Sequence, residues 1–249
     1  KMLLSFSYTD HDQNSYYGDV PYMAQQKIGF TQLTWDKKLS NHDLLFGAAV
    51  RHQFYNDNTP ATEEAEQNWI PGVFIQDEIK FNDKHSVLLG TRYDYNDNHG
   101  SIFTPRFAYK WKINEHDILR LNAGTGFRIV NIFTEEHAAL TGARDVVILE
   151  DLKPEQSYNA NINFLKKLYS DNGTYLSFEA AAWFTYFTNQ ITPDYDSDPN
   201  KIIYKNLNGH AITTGLSANA DLVLTNGLKF ILGATYMNVE KTEDGITTD

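Results

Sequence analysis

The feature that most constrains this chain is a hydrophobic period of two that keeps register for ten residues and more. Leu44, Phe46, Ala48, Val50, His52 and Phe54 alternate with a face carrying Arg51 and Gln53. The same pattern recurs in Val87, Leu89, Thr91, Tyr93 and Tyr95, then in Phe103, Pro105, Phe107, Tyr109 and Trp111, and then in Leu119, Leu121, Ala123, Thr125 and Phe127. It continues through Tyr158, Ala160, Ile162 and Phe164, through Leu176, Phe178, Ala180, Ala182, Phe184 and Tyr186, and through Leu228, Phe230, Leu232, Ala234 and Tyr236. Strands of soluble sheets run about five or six residues. Strands of about 9–11 residues cross a bilayer at a tilt.

None of these apolar rows contains a formal charge, whereas the opposite face keeps Arg92, Asp94, Arg106, Lys110, Arg120 and Arg128. An Arg or Lys pointing into hydrocarbon near the bilayer centre costs about 2–4 kcal/mol, so a lipid-facing row is purged of both. The rows predict an all-β transmembrane antiparallel barrel with lipid outside and a hydrated bore inside. The competing architecture is a soluble β-sandwich with one wet face. Aromatic residues, 14% of the chain, gather towards the strand ends, as interfacial girdles do. A mean hydropathy of −0.47 does not register such alternation, and no apolar run reaches the roughly 18 residues of a membrane-spanning helix.

Connections of two kinds alternate along the chain. Short Asn-, Asp- and Gly-rich turns stand at Ser40-Asn41-His42, Asn82-Asp83-Lys84, Asn114-Glu115-His116, Ser170-Asp171-Asn172-Gly173 and Thr225-Asn226-Gly227. Longer polar segments are expected at 10–26, 56–68, 96–101, 129–156, 192–201 and from 242 onward. Outer-membrane barrels sort their loops in this way, short on the periplasmic side and long outside. About eleven strands follow: 1–9, 27–38, 43–55, 69–81, 86–96, 101–113, 118–128, 157–169, 174–191, 202–224 and 228–241. Bacterial single-chain barrels have even strand numbers, and an open sheet leaves lipid-exposed edges. The expectation is that residues 1–249 are a partial barrel domain, about half of a plugged barrel of roughly 22 strands, with plug and closing strands elsewhere in a longer chain.

Several segments, in order, resemble the barrel of TonB-dependent outer-membrane receptors. Phe74-Ile75-Gln76-Asp77-Glu78 is similar to the family's Q-D-E strand, Leu89-Gly90-Thr91-Arg92-Tyr93-Asp94 to its G-x-R-Y-D strand end, and Thr104-Pro105-Arg106 to its T-P-R strand start. Gly124-Thr125-Gly126-Phe127-Arg128 resembles G-x-G-F-R, Leu152-Lys153-Pro154-Glu155 resembles L-x-P-E, and Tyr204-Lys205-Asn206 with Gly215 resembles a later strand. Ile129-Val130-Asn131 departs from the Ala-Pro or Ser-Pro that often follows G-F-R. The resemblance implies an active transporter of the outer membrane for a scarce large solute, a metal chelate such as cobalamin or a ferric siderophore, with glycan or peptide import as the alternative. It also implies outer-membrane lipid, the receptor's own plug, a TonB energy-coupling protein and, in some members, a surface lipoprotein lid as partners. Arg92, Asp94, Arg106, Arg120 and Arg128 would face that plug or carboxylates of the bore.

The remaining candidates sit in the outer loops. The longest connection holds Phe133, Glu135, Glu136, His137 and Arg144, read either as a ligand contact or as a short structural helix from Ile129 to Leu140. Tyr16, Tyr17, Tyr22, Trp69 and Tyr195 could stack on a flat ligand or sit at the membrane interface. Asp194, Asp196 and Asp198 have the alternate spacing of calcium loops but lack the glycine and glutamate that complete one, so a calcium site competes with an acidic loop tip. The chain has no cysteine, no G-x-S-x-G, no P-loop and no H-E-x-x-H, so no catalytic residues are assigned and an outer-membrane enzyme or adhesin barrel is disfavoured. A net charge of −11 argues against nucleic acid as a partner.

Overall fold

The computed structural model describes residues 1–58, 62, 64–129 and 144–248. The described residues contain no helix. They form the strands β1 (Met2–Tyr17), β2 (Val20–Leu39), β3 (His42–Asp57), β4 (Glu66–Lys80), β5 (His85–Asn96), β6 (Gly100–Lys112), β7 (Asp117–Arg128), β8 (Asp145–Ile148), β9 (Glu155–Tyr169), β10 (Tyr175–Asn189), β11 (Ile191–Asp194), β12 (Lys201–Asn206), β13 (Gly209–Val223), β14 (Lys229–Glu243) and β15 (Ile246–Thr248). Twelve of them make one antiparallel meander in the order β1-β2-β3-β4-β5-β6-β7-β9-β10-β13-β14-β15. Even the 12-residue strands β5 and β7 span about 40 Å at the usual rise.

Register places the alternating rows on common faces. Phe46 is paired with Trp35 and Ile75, and Leu121 with Tyr109 and Ile162, so one face of the meander is apolar along the middle of its strands, with charges such as Asp77 and Asp117 only towards their ends. That face is covered by nothing among the described residues: Phe6 is 74% exposed and Leu232 69%. The fully buried apolar side chains are few, and most of them, including Tyr22, Tyr55, Ile202, Tyr204 and Leu207, lie at one end, where the long connections are. A sandwich would bring two apolar faces together as a dry centre. Here the apolar face looks outward and the polar face lines the concave side, as a bilayer-spanning wall requires.

The short connections cluster at the other end and are closed by side chains. Asn82 accepts from the amides of Lys84 and His85, and Asn114 does the same for His116 and Asp117. Gly173 and Gly227 take the left-handed conformation that the turns at 170–173 and 225–227 need. The outward charges nearest this end are compensated: His42 Nδ1 lies 2.7 Å from Asp77, and Lys166 lies 3.1 Å from Asp117. Lys37 extends over the ring of Trp35, with its stem along the apolar face and its ammonium towards water.

Three expectations need correction. The segment 10–26 is not a loop: β1 and β2 run on as one hairpin to a two-residue turn at Gly18-Asp19. Its Gln, Asn and Asp residues read as loop composition, yet a paired ladder satisfies the backbone there whatever the side chains are. The segment 202–224 is two strands, because the chain joins the wall only after Leu207-Asn208. The long connections also hold a second sheet, in which β12 pairs antiparallel with β11 and parallel with β8. The helix considered for 129–140 lies outside the described residues beyond Ile129.

Candidate functional site at the outer end of the bore

The inward face near the long loops lines a cavity of about 1320 Å³ between the ends of β2 to β5 and the segment Ile148–Pro154. Gln26, Gln53, Asn68, Asn96 and Asn98 supply amides, Arg51, Arg92, Arg128 and Lys153 cations, and Glu66, Glu150 and Asp151 carboxylates. The lining offers hydrogen bonds of both senses, beside apolar surface of similar extent from Ile28, Phe30, Ile70, Phe127, Leu152 and Pro154.

Two of the inward arginines are held by carboxylates of the wall itself. Arg92 donates to Asp94 through Nε at 2.7 Å and through Nη2 at 2.6 Å, and Asp94 is 1% exposed. The pair is i, i+2 on one strand, so both side chains share the inward face. Gly72 stands opposite Asp94 across the ladder, and a Cβ there would run into the carboxylate. Phe74 stands opposite Arg92, its ring centroid 5.7 Å from the guanidinium carbon, and its ring lies in the space left by Gly47. Further along, Arg128 donates to the buried Glu155 at 2.8 Å, and the other oxygen of Glu155 accepts from the amide of Ile191 at 3.1 Å. The G-x-G-F-R and L-x-P-E segments therefore meet in an ion pair.

Arg106 and Arg120 differ. Arg106 lays its stem over Gly90, and Arg120 reaches only Asn163 Oδ1, at 3.4 Å. Neither forms an ion pair among the described residues.

Asn206 ties the second sheet to the wall. Its amide accepts from the Lys153 backbone and donates to the Asp151 carbonyl, and its own backbone N–H donates to Glu150. Asn189 adds bonds to the carbonyls of Lys153 and Pro154. Arg144 donates to the carbonyl of Tyr195 at 2.9 Å, which brings two of the loop candidates together. Phe133 and His137 lie outside the described residues. Tyr16 is exposed on the outward row near the hairpin tip, and Tyr17 closes that hairpin opposite Val20. Trp69 also lies on the outward face, packed on His52 with ring centroids 4.4 Å apart, so it lines no part of the cavity. Tyr22 is buried and hydrogen-bonded to Tyr55 at 3.0 Å.

Asp194, Asp196 and Asp198 do not converge. Asp194 accepts from the Ser197 hydroxyl and from the amides of Ser197 and Asp196, and those bonds, the hydroxyl foremost, lower its pKa to about 2. Asp198 accepts from the Asn200 amide and pairs with Lys201. Among the described residues no three His, Asp or Glu side chains form a metal cluster. Burial lowers the pKa of His99, beside the cavity.

The sequence reading missed Gly47, Gly72, Phe74 and the joining roles of Asn206 and Glu155. A glycine inside an otherwise regular alternating strand is the available signal for the first two.

Long antiparallel strands, an uncovered apolar face and a hydrated concave face define the wall of an outer-membrane β-barrel. The chain belongs to the TonB dependent receptor-like beta-barrel family, whose sequence model matches residues 2–249. It is 26% identical over 220 residues to an iron-regulated outer membrane virulence protein of Vibrio cholerae, covering 82% of this chain and 33% of that one. The chain thus spans about a third of the length of that curated relative. Its fold is similar to that of the siderophore receptor PirA from Pseudomonas aeruginosa, with TM-score 0.73 and 16% identity over 96% of this chain and 50% of that one. It is equally similar to the FrpB iron transporter from Neisseria meningitidis, with TM-score 0.74 and 16% identity over 98% and 42% of the two chains.

Proposed function

We propose that this wall belongs to a receptor that imports a ferric siderophore across the outer membrane, driven through a plug in its bore by a TonB-type energy-coupling protein. The observation that carries the reading is the cavity, lined by amides and charged groups as well as apolar side chains, at the outer end of a lipid-facing wall, where a solute arriving from outside first meets protein. The iron-related names of the relatives favour iron over the other solutes of the family. The cavity suits a hydrophilic chelate, since its amides and charged groups replace hydration.

Growth of a strain lacking the full-length receptor tests this. Under iron limitation with added siderophores the strain grows poorly and is restored by the intact gene, while limiting cobalamin leaves it unaffected. Dependence on cobalamin, or indifference to both, overturns the assignment.

A further inference from the structure

A second cavity, of about 360 Å³, lies at the other end of the wall, between the short turn at 113–116 and the end of β9. It follows from a difference in strand length. The ladder between β7 and β9 stops where Asp117 stands opposite Lys166, whereas β9 runs on against β10 until Tyr169 stands opposite Tyr175. The turn therefore rests against the side of a longer hairpin, held by the Lys167 N–H, which donates to the His116 carbonyl at 2.9 Å. The step between turn and hairpin is the cavity.

The charges in this step are of two kinds. Lys166 and Asp117 compensate each other at 3.1 Å. Lys167 and Glu115 line the same small space and have no ion pair among the described residues, although lysines elsewhere do: Lys80 with Asp43 and Lys205 with Glu243. A free ammonium and a free carboxylate that do not meet each other complement a ligand carrying both signs. His116 adds an imidazole N–H. Its ring packs on Tyr169 with centroids 5.2 Å apart, and Tyr169 packs on Tyr175 at 5.0 Å.

Position selects among such ligands. Short turns mark the periplasmic end of an outer-membrane wall. Asp117 and Lys166 are the next outward pair after Leu119 and Phe164, and Leu168 beyond them is 47% exposed. The step thus opens beside the acyl layer at headgroup depth, next to tyrosines of the kind that gather at membrane interfaces.

We propose that this step binds the headgroup of a zwitterionic phospholipid of the periplasmic leaflet. The phosphate lies against Lys167 and the His116 N–H, the ammonium against Glu115, and the acyl chains along Leu168 and the outward row. The site needs only the membrane wall and does not depend on which solute is carried, so it and the growth test fail separately.

Native mass spectrometry of the full-length receptor tests it, after delipidation in detergent and addition of phosphatidylethanolamine or phosphatidylglycerol with the same acyl chains. A single phosphatidylethanolamine is expected to be held several-fold more tightly than phosphatidylglycerol. Lys167→Gln with Glu115→Gln removes that preference. Lys84→Gln with Asp83→Asn, which takes the same charges from the neighbouring turn, leaves it in place. Equal retention of the two lipids, tighter retention of phosphatidylglycerol, or a preference that survives Lys167→Gln with Glu115→Gln overturns the proposal. Glycerophosphoethanolamine carries the same headgroup without acyl chains. If it displaces the lipid at equal concentration, the site belongs to a periplasmic solute and the membrane assignment falls.

A second measurement needs no variant. Phosphatidylethanolamine with a photoactivatable headgroup, added to the unaltered receptor in vesicles, is expected to label peptides holding 114–117 and 166–168. Labelling confined to other peptides overturns the proposal.

Discussion

Arg128 and Glu155 stand opposite each other on β7 and β9, joined at 2.8 Å, and Glu155 also holds the amide of Ile191 where the chain turns into the second sheet. One carboxylate thus fastens two wall strands and a loop sheet at the outer rim. Its side chain is 7% exposed, while that of Arg128 is 58% exposed, so the attraction is partly screened, and loss of the carboxylate also leaves the Ile191 amide unsatisfied.

Glu155→Ala and Arg128→Gln are each expected to lower unfolding stability by about 1–3 kcal/mol, the first by leaving the Ile191 amide unsatisfied and the second by leaving the buried carboxylate without its cation. Denaturant unfolding in detergent micelles measures both. An unchanged Arg128→Gln variant would show that the carboxylate does not depend on its cation.

Gly72→Val puts a branched side chain against the Asp94 carboxylate and parts it from Arg92, at an expected cost of about 1–3 kcal/mol. A Cβ at Gly29 meets nothing within 4 Å, so Gly29→Val is expected to be tolerated. Comparing the two thermal transitions checks the packing, and similar losses would argue against it.

Leu121→Arg places a guanidinium on the outward row between Tyr109 and Ile162, and should cost about 2–4 kcal/mol in lipid if it lies near the midplane. Asn122→Arg, one residue on and facing the bore, should cost far less. Refolding equilibria in vesicles measure the difference. A reversed order would place hydrocarbon on the wrong face.

Asp194 has its pKa lowered to about 2 by the Ser197 hydroxyl and by two loop amides. A carboxyl whose folded pKa lies below its unfolded value of about 3.9 contributes stability above that value, and loses it as pH falls towards 2. Hydrogen exchange of the 194–200 loop should therefore quicken between about pH 4 and pH 2. Ser197→Ala should move that change to higher pH, and an unmoved profile would remove the hydroxyl from the account.

Asn206→Ala removes the bonds to Lys153 and Asp151 and is expected to make the 149–153 strap sensitive to protease added to intact cells. Asn208→Ala, which loses a bond to Asp244 instead, serves as the comparison. Equal cleavage in both variants would deny Asn206 its joining role.

The sequence by itself determined the middle of most wall strands, their lipid-facing rows and the short turns, because a two-residue period and an Asn-Gly turn are local properties that survive whatever the neighbours do, but not the reach of β1 and β2 or the break between β12 and β13. It also located the G-x-R-Y-D, G-F-R and L-x-P-E segments. Only the tertiary structure decided which inward charges are satisfied within the wall. Arg92 meets Asp94 in the room left by Gly72, Arg128 meets Glu155 across the ladder, and Arg106, Lys110, Lys112 and Arg120 find no carboxylate among the described residues. The second sheet was equally hidden, since β8 and β12 are more than fifty residues apart and short polar strands carry little periodic signal. Pairing of charges depends on distances across strands and around loops, which chain order does not encode one residue at a time.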